Sequence, residues 1–421
     1  MENEYGLYVG IDWATEAHQV CVLDPQRRVL EERKVDHSGG ALLELLDWLT
    51  RLCESQPERV AVSIEIPRGA IVESLVERGF HVYSINPKQL DRFRDRHTVP
   101  GAKDDRRDAF VLADSLRTDR PCFRRVRIDD PLVIQIRELS RIDEDLCEEE
   151  TRLANRLRDQ LHRYFPQMLR LSPAADESWL WSLLELAPTP AHVGRLRRER
   201  VAKLLREKRI RRLDADQVLA ELRALPLHVA PGTTEAASAH IAVLLPRLRL
   251  VHEQRADCTR RLHILLDAIA TVEPPEGKKR EHHDVEILRS LPGVGVRVAA
   301  AMLAEASQAL ADRDYHSLRA LSGAAPITRQ SGKSRVVIMR RGCNARLRNA
   351  LYHWARTGTQ LDERWRALYA ALRARGHTHG RALRSVADRQ LKVLVAMLRS
   401  GTLYDSNRRR VQPVAPLETA A

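Results

Sequence analysis

Tyr5-Gly6-Leu7-Tyr8-Val9-Gly10-Ile11-Asp12 and Arg59-Val60-Ala61-Val62-Ser63-Ile64-Glu65-Ile66 are the stretches on which the fold turns. Each is a short run rich in β-branched and aromatic residues, of a length suited to a buried strand, and Pro67 ends the second. Between them His18–Leu23 (HQVCVL) alternates apolar and polar side chains before the Asp24-Pro25 turn, and Val29–Val35 reads as a third, more polar strand. Gly39-Gly40 then opens an amphipathic helix over Ala41–Cys53. Beyond Pro67 the spacing predicts a helix from Ala70 to Arg78, a break at Gly79 and a strand over His81–Ile85.

Three strands, a helix, a strand, a helix and a strand, in that order, resemble an RNase H-like core. A further helix over Asp105–Leu116 shows Ala109, Leu112, Ala113 and Leu116 on one face. The pattern then changes. Leu139, Ile142, Leu146, Leu153, Leu157 and Leu161 recur at helical spacings, with Glu149 and Glu150 breaking the stripe and Pro166 stopping it. A second arm, Thr234–Ala270, carries Ile241, Leu244, Leu248, Leu262, Leu265 and Ile269, and Arg195–Arg212 between the arms is dense in Arg and Lys. Two such narrow-faced arms predict a helical hairpin or coiled coil without a core of its own, open to self-association. Pro274-Pro275-Glu276-Gly277-Lys278-Lys279 is the best linker signal. The expected layout is therefore α/β plus α. An N-terminal mixed-sheet domain spans 1–128, a helical coiled-coil region 129–275, a helix-rich domain 276–405 and a disordered tail 406–421.

The 421 residues suffice for two or three domains at about 100–200 residues each. No apolar run is long enough to span a membrane, and Met1-Glu2-Asn3-Glu4-Tyr5 lacks the features of a signal peptide, so a cytoplasmic, nucleoid-associated protein is expected. Cys21, Cys53, Cys122, Cys147, Cys258 and Cys343 are scattered singly, which indicates neither a disulfide framework nor a zinc knuckle. The net charge of +13, nearly all of it from Arg, points to a polyanionic partner such as nucleic acid. No GxxxxGK[ST] stretch occurs, which argues against an ATP-driven motor.

Asp12 follows one apolar strand and Glu65 sits inside another, where an ionised carboxylate is costly unless a charge or metal offsets it. On the helix that follows Lys103, Asp105 and Asp108 at i, i+3 face the same way, so that Asp12, Glu65, Asp105 and Asp108 form a candidate four-carboxylate cluster at one end of the sheet. Such oxygen-rich sites suit Mg²⁺ or Mn²⁺ and polarise phosphodiesters. The plainer reading is that Asp104, Asp105 and Asp108 complement a helix dipole. Near the C-terminus Leu291-Pro292-Gly293-Val294-Gly295 reads as a helix-hairpin-helix turn, in which Gly293 and Gly295 let backbone N–H groups approach a DNA phosphate, or as an ordinary turn between helices. Ser331-Gly332, ringed by Arg329, Lys333, Arg335, Arg340, Arg341 and Arg346, fits a nucleophile toward a phosphodiester, although a Ser-Gly pair in a loop is more often solvated. His282-His283 and His377-Thr378-His379 lack partners at zinc spacing.

Gly10-Ile11-Asp12, Ile64-Glu65, Asn86-Pro87-Lys88-Gln89, Lys103-Asp104-Asp105-Arg106-Arg107-Asp108-Ala109, Leu291-Pro292-Gly293-Val294-Gly295, and Ser331-Gly332 ahead of Gly342-Cys343-Asn344-Ala345-Arg346-Leu347-Arg348 occur in one order. In that order the chain resembles transposases of insertion-sequence family 110, over about residues 5–120 and 285–400. The resemblance implies a RuvC-like domain with a DEDD carboxylate set, here Asp12, Glu65, Asp105 and Asp108, a coiled-coil connection, and a C-terminal transposase domain whose nucleophile is Ser331. It further implies Mg²⁺-dependent recombination of donor and target DNA through a covalent serine–DNA intermediate, guided by a structured bridge RNA. A homo-oligomer, in which the carboxylates of one subunit meet the serine of another, also follows from it. Asp104 stands where the family usually shows an uncharged residue. Asp105 keeps the three-residue step to Asp108, Asp104 at i, i+4 shares the face almost as well, and Ser334 is a substitute for Ser331 without the adjacent Gly. The alternatives are an RNase H-like nuclease that uses metal and water, and a non-catalytic Arg-rich scaffold for nucleic acid.

Overall fold

The computed structural model describes residues 5–85, 87–96, 104–271, 283–332 and 334–406, with the backbone alone at Pro87 and Lys88. The expected linker at Pro274–Lys279 lies outside the described residues, as does the tail beyond Ser406. The chain divides into two compact units, residues 1–129 and 130–421. All six cysteines are free.

The first unit contains β1 (Leu7–Asp12), β2 (Ala17–Leu23), β3 (Val29–Asp36), α1 (Gly39–Leu52), β4 (Val60–Ile64), α2 (Ala70–Glu77), β5 (His81–Ser84), α3 (Pro87–Arg94), α4 (Asp105–Asp119) and β6 (Arg124–Arg125). Its mixed sheet runs β3-β2-β1-β4-β5-β6, with β1, β4 and β5 parallel and the other neighbours antiparallel. The α/β expectation holds for this unit. Alternation along β1 sends Val9 and Ile11 to one face, where they join Leu42, Leu45, Trp48, Ile71 and Leu75 of α1 and α2. Tyr8, Gly10 and Asp12 point to the other face, toward α4. Ser38 caps α1 by accepting from the Ala41 N–H at 3.3 Å. The polar β3 is an edge strand, which explains why its pattern is weak.

Glu65 is not inside a strand as expected. β4 stops at Ile64, and Glu65 occupies the bend that follows, two residues before Pro67. The ladder pairs Ile11 with Ile64, so Asp12 and Glu65 are the next residues on neighbouring parallel strands, at the same end of the sheet. Gly10 fixes what lies over that end. A Cβ there would fall 1.9 Å from the Ala109 carbonyl oxygen and 2.6 Å from the Ala113 nitrogen, so only glycine lets α4 approach β1 this closely.

Among its described residues the second unit is helical apart from one hairpin. It runs α5 (Pro131–Tyr164), α6 (Gln167–Leu171), α7 (Ser178–Leu186), α8 (Pro190–Val193), α9 (Arg198–Glu207), α10 (Ala215–Leu222), α11 (Thr233–Ala270), α12 (Asp284–Ser290), α13 (Val296–Ala311) and α14 (Tyr315–Leu321). β7 (Ile327–Ser331), β8 (Ser334–Ile338), α15 (Ala345–Leu361), α16 (Glu363–Ala374) and α17 (His379–Ser400) complete it. The arms α5 and α11 pack antiparallel, as a helical hairpin, and the short helices between them join them in a buried core that the arms' narrow faces did not lead one to expect. Leu153, Leu157 and Leu161 pack with Ile241, Leu244 and Leu248, and the short helices between the arms add Trp179, Trp181, Leu183 and Val201 to one buried cluster. At the other end Ile136, Leu262 and Leu266 join the core built from α12, α13, α15 and α17. Glu150 does not break the stripe either, because it is buried against α11. It accepts from His252 Nδ1 at 2.8 Å and is ion-paired with Arg255. Asp143 likewise faces Arg255 of α11 at 3.6 Å, and it also meets Arg297 of α13 at 3.0 Å. Removing one partner from such a pair strands a buried charge, so these contacts fix the register of the arms.

Gly10→Ala is expected to destabilise the first unit by about 2 kcal/mol through overpacking against α4. Gly40→Ala, which meets nothing within 4 Å, should leave the thermal midpoint unchanged. Differential scanning calorimetry of the two variants checks this.

Candidate active site

The parallel register brings Asp12 and Glu65 together, and the close approach of α4 adds Asp105 and Asp108 from its first turn. Asp104 is the N-cap of α4, its carboxylate accepting from the Arg106 N–H at 3.2 Å. It therefore does what the helix-dipole reading assigned to the whole stretch. Asp105, one residue on, is coupled to Asp12. Asp108 is 2% exposed, and both its oxygens accept from Arg94 of α3, from Nε and Nη2 at 2.8 Å each. Arg94 also bonds Asp91 at 2.7 Å.

Burial, and then the neighbouring charges of Asp108, Asp105 and Glu65, push the Asp12 carboxyl up to about 6 against the opposing pull of Arg94. Asp12 thus feels three neighbouring carboxylates against the pull of Arg94, whose guanidinium is bonded to Asp108 and Asp91, and a hard dication with oxygen ligands would relieve that repulsion. Among the described residues no three His, Cys, Asp or Glu side chains are gathered at metal-holding distance, and Asp108 gives both its oxygens to Arg94. The donor set fits Mg²⁺ or Mn²⁺ in chemistry, and binding there requires the carboxylates to draw in toward the ion. Arg94 was missed in the sequence. Its signals are faint: Pro87 at a helix start, and Leu90 and Phe93 three residues apart.

The second constellation is the hairpin of β7 and β8. Ser331 pairs with Ser334, Gln330 with Arg335, Arg329 with Val336 and Ile327 with Ile338. Only Gly332 and Lys333 connect the strands. Gly332 takes φ +55°, as such a turn demands, and Lys333 lies outside the described residues. Cross-strand partners share a face, so Ser331, Ser334 and Arg329 stand on one side, whereas Arg335 stands on the other. Ser331 and Ser334 are exposed. Arg340 donates to the Ala325 carbonyl at 3.3 Å and Arg341 is exposed. Arg346 is not a free cation: its guanidinium meets Glu144 at 2.9 Å and Asp145 at 3.2 Å. Asn344 caps α15 and donates to Glu305 of α13 at 2.6 Å, so the stretch after the hairpin is tied to the helical core.

Gly293 and Gly295 divide in role. Gly293, at φ +86°, packs on α15, where a Cβ would lie 2.7 Å from the Gly358 nitrogen and 3.1 Å from the Trp354 carbonyl oxygen. Its lack of a side chain is required by this helix packing. Gly295, the N-cap of α13, is exposed and open on that side.

Residues 9–166 match the IS110 DEDD transposase family model, and residues 285–370 match the model described as Transposase IS116/IS110/IS902 family. The chain is 31% identical to the mini-circle candidate transposase for IS117 of Streptomyces coelicolor, over 100% of this chain and 99% of that protein. It is also 31% identical to the uncharacterized 43.6 kDa protein of insertion element IS110 of the same organism, over 96% of each. The candidate transposase y4uE of Sinorhizobium fredii is 49% identical over 216 residues, a match that spans 51% of this chain and 60% of that protein.

Two outcomes follow from the carboxylate geometry. The Asp12 carboxyl has a raised folded-state pKa, so it favours folding below its ordinary value near 3.8 and loses that contribution as pH rises through about 6. Asp12→Asn should raise the thermal midpoint at pH 7.5 in EDTA, with the gain vanishing below pH 4; a lower midpoint at pH 7.5 would contradict the like-charge account. Arg94→Gln leaves buried Asp108 without its counter-charge and should cost about 3 kcal/mol by urea denaturation in EDTA. Asp108→Asn in the same chain should recover most of that loss.

Proposed function

Because this chain belongs to the IS116/IS110/IS902 family of transposases, we propose that it carries out metal-dependent DNA strand exchange through a covalent serine–DNA intermediate. The observation that carries the reading is the placement of Asp12 and Glu65 one step beyond the paired Ile11 and Ile64, with α4, which bears Asp105 and Asp108 in its first turn, packed closely on β1. A non-catalytic scaffold gives no account of this gathering of carboxylates. The β3-β2-β1-β4-β5 order of the sheet supports an RNase H-like, RuvC-like domain. In this reading Asp12, Glu65, Asp105 and Asp108 hold Mg²⁺ or Mn²⁺, which supplies Lewis acidity toward a phosphodiester.

The Ser331 hydroxyl attacks phosphorus. One O–P bond forms, one ester O–P bond breaks, and the proton lost by the serine balances the one gained by the departing deoxyribose oxygen. Arg329, on the same face of the hairpin, offsets the added charge on the phosphoryl oxygens. Gly332 keeps the turn tight, so that the serine stands at the tip. The net charge of +13 supports two nucleic-acid ligands, DNA and a guide RNA that pairs with it, the protein recognising backbone and shape. A homo-oligomer completes the reading, with a carboxylate site and a serine drawn from different copies.

The test is covalent trapping. Purified protein, RNA transcribed from the flanks of the element, labelled donor and target DNA and Mg²⁺ are run on a denaturing gel beside Ser331→Ala and Asp12→Ala. A protein–DNA band lost in both variants is expected. Cleavage without a band, unaffected by Ser331→Ala, would make the protein a metal nuclease instead.

A further inference from the structure

A cavity of about 260 Å³ opens between α15 and α17, bounded at one end by Met339, the residue that follows β8. Leu351, Leu383 and Ala387 form its apolar wall, and Arg348, Arg384, Tyr352, Asn349 and Ser322 supply its polar lining. No carboxylate lines it. Among the described residues neither Arg348 nor Arg384 has an acidic partner. Arg384 turns back along α17, so that a Cβ on Gly380 would lie 3.7 Å from its Nη1. The Tyr352 hydroxyl is held by His379 Nε2 at 3.4 Å, and Nδ1 of the same ring meets the Tyr369 hydroxyl at 2.8 Å. Burial, and then the neighbouring cation Arg381, pull the Arg384 guanidinium below its ordinary value.

Every other partly buried arginine described above meets a carboxylate or a carbonyl. Arg94 meets Asp108, Arg255 meets Glu150 and Arg346 meets Glu144. A half-buried guanidinium beside another cation and without an acid costs stability that an arriving anion would return. We propose that Arg384 and Arg348 form a binding site for a backbone phosphate of the DNA strand laid along the β7–β8 hairpin, with the Tyr352 ring as a wall for the adjoining sugar or base. DNA is favoured over RNA because the cavity adjoins the base of the hairpin whose tip carries the serine. The inference rests on that reading of Ser331. It requires neither metal nor chemistry, so binding alone tests it.

The test uses full-length protein carrying Ser331→Ala, so that no covalent product forms. Fluorescence anisotropy measures affinity for duplex DNA, single-stranded DNA and RNA of equal length across a salt series. Arg384→Gln should weaken DNA binding roughly tenfold whatever the sequence. It should also lower the slope of log affinity against log salt by about 1, as loss of one phosphate contact does. Arg384→Lys should keep most of the slope. Because the native cation has no acidic partner, Arg384→Gln should leave the thermal midpoint unchanged or higher, and a fall would assign Arg384 a structural role and overturn the proposal. An unchanged DNA slope, or a slope that falls for RNA alone, would overturn it as well. A covalent band in the trapping experiment together with an unchanged slope would leave the serine reading intact and reject this site only.

Discussion

The contact between Gly10 and the backbone of α4 is the constraint on which the carboxylate site depends. Any side chain at residue 10 would collide with the Ala109 carbonyl and the Ala113 nitrogen. With glycine there, and alanines on the facing side of the helix, α4 lies directly on β1 and its first turn reaches the end of the strand. Asp12 comes next but one after Gly10 on the same face, so the closeness of strand and helix becomes closeness of carboxylates. Parallel pairing of β1 and β4 adds Glu65 without further apparatus. The result is a site in which Asp12 is repelled by its neighbours, opposed by the Arg94 guanidinium and the N-terminal dipole of α4.

The second unit solves a different problem, which is to hold an exposed hairpin and a cationic cleft on a helical frame. A two-stranded hairpin is marginal by itself in water. Here its return segment is anchored by Asn344, which caps α15 and reaches Glu305, while Glu305 also accepts from Arg141 of α5 at 3.0 Å. Gly293 and Gly358 let the loop before α13 lie against α15. Buried ion pairs between the arms keep the long helices in one register. The frame is thus specified by polar contacts set in an apolar core, which leaves the exposed arginines to face solvent or a polyanion.

β1, β2, β4 and β5 were legible because each is a largely apolar run of strand length bounded by Pro, Gly or Asp, whereas the polar edge strand β3 reads weakly and the two-residue β6 gives no pattern to read. Asp12 stood out for the same reason, as a charge at the end of such a run. The three-residue step from Asp105 to Asp108 was legible as a helix face, whereas the N-cap role of Asp104 depends on where the helix starts, which the run of acidic residues leaves open. Glu65 was misplaced because Ile66 extends the apolar pattern past the last ladder bond. Arg94 and Arg384 were invisible for a common reason: whether an arginine has an acidic partner is decided by tertiary packing, not by spacing. The core around Trp179 and Trp181 was missed because its helices are short and separated by turns, so no long period announces them. Gly293 was legible as a turn glycine, but its packing against α15 depends on tertiary contacts that spacing does not reveal.

The central claim is that the carboxylates around Asp12 are an unbalanced cluster built to receive a divalent cation. Calorimetric titration of Mn²⁺ into the full-length protein, at pH 6.0 and 7.5 and beside Asp12→Asn, tests it most directly. The account predicts binding by the native protein with release of protons at the lower pH, where Asp12 is partly protonated, and no comparable binding by the variant. Equal affinity in the two proteins, with no release of protons, would contradict it.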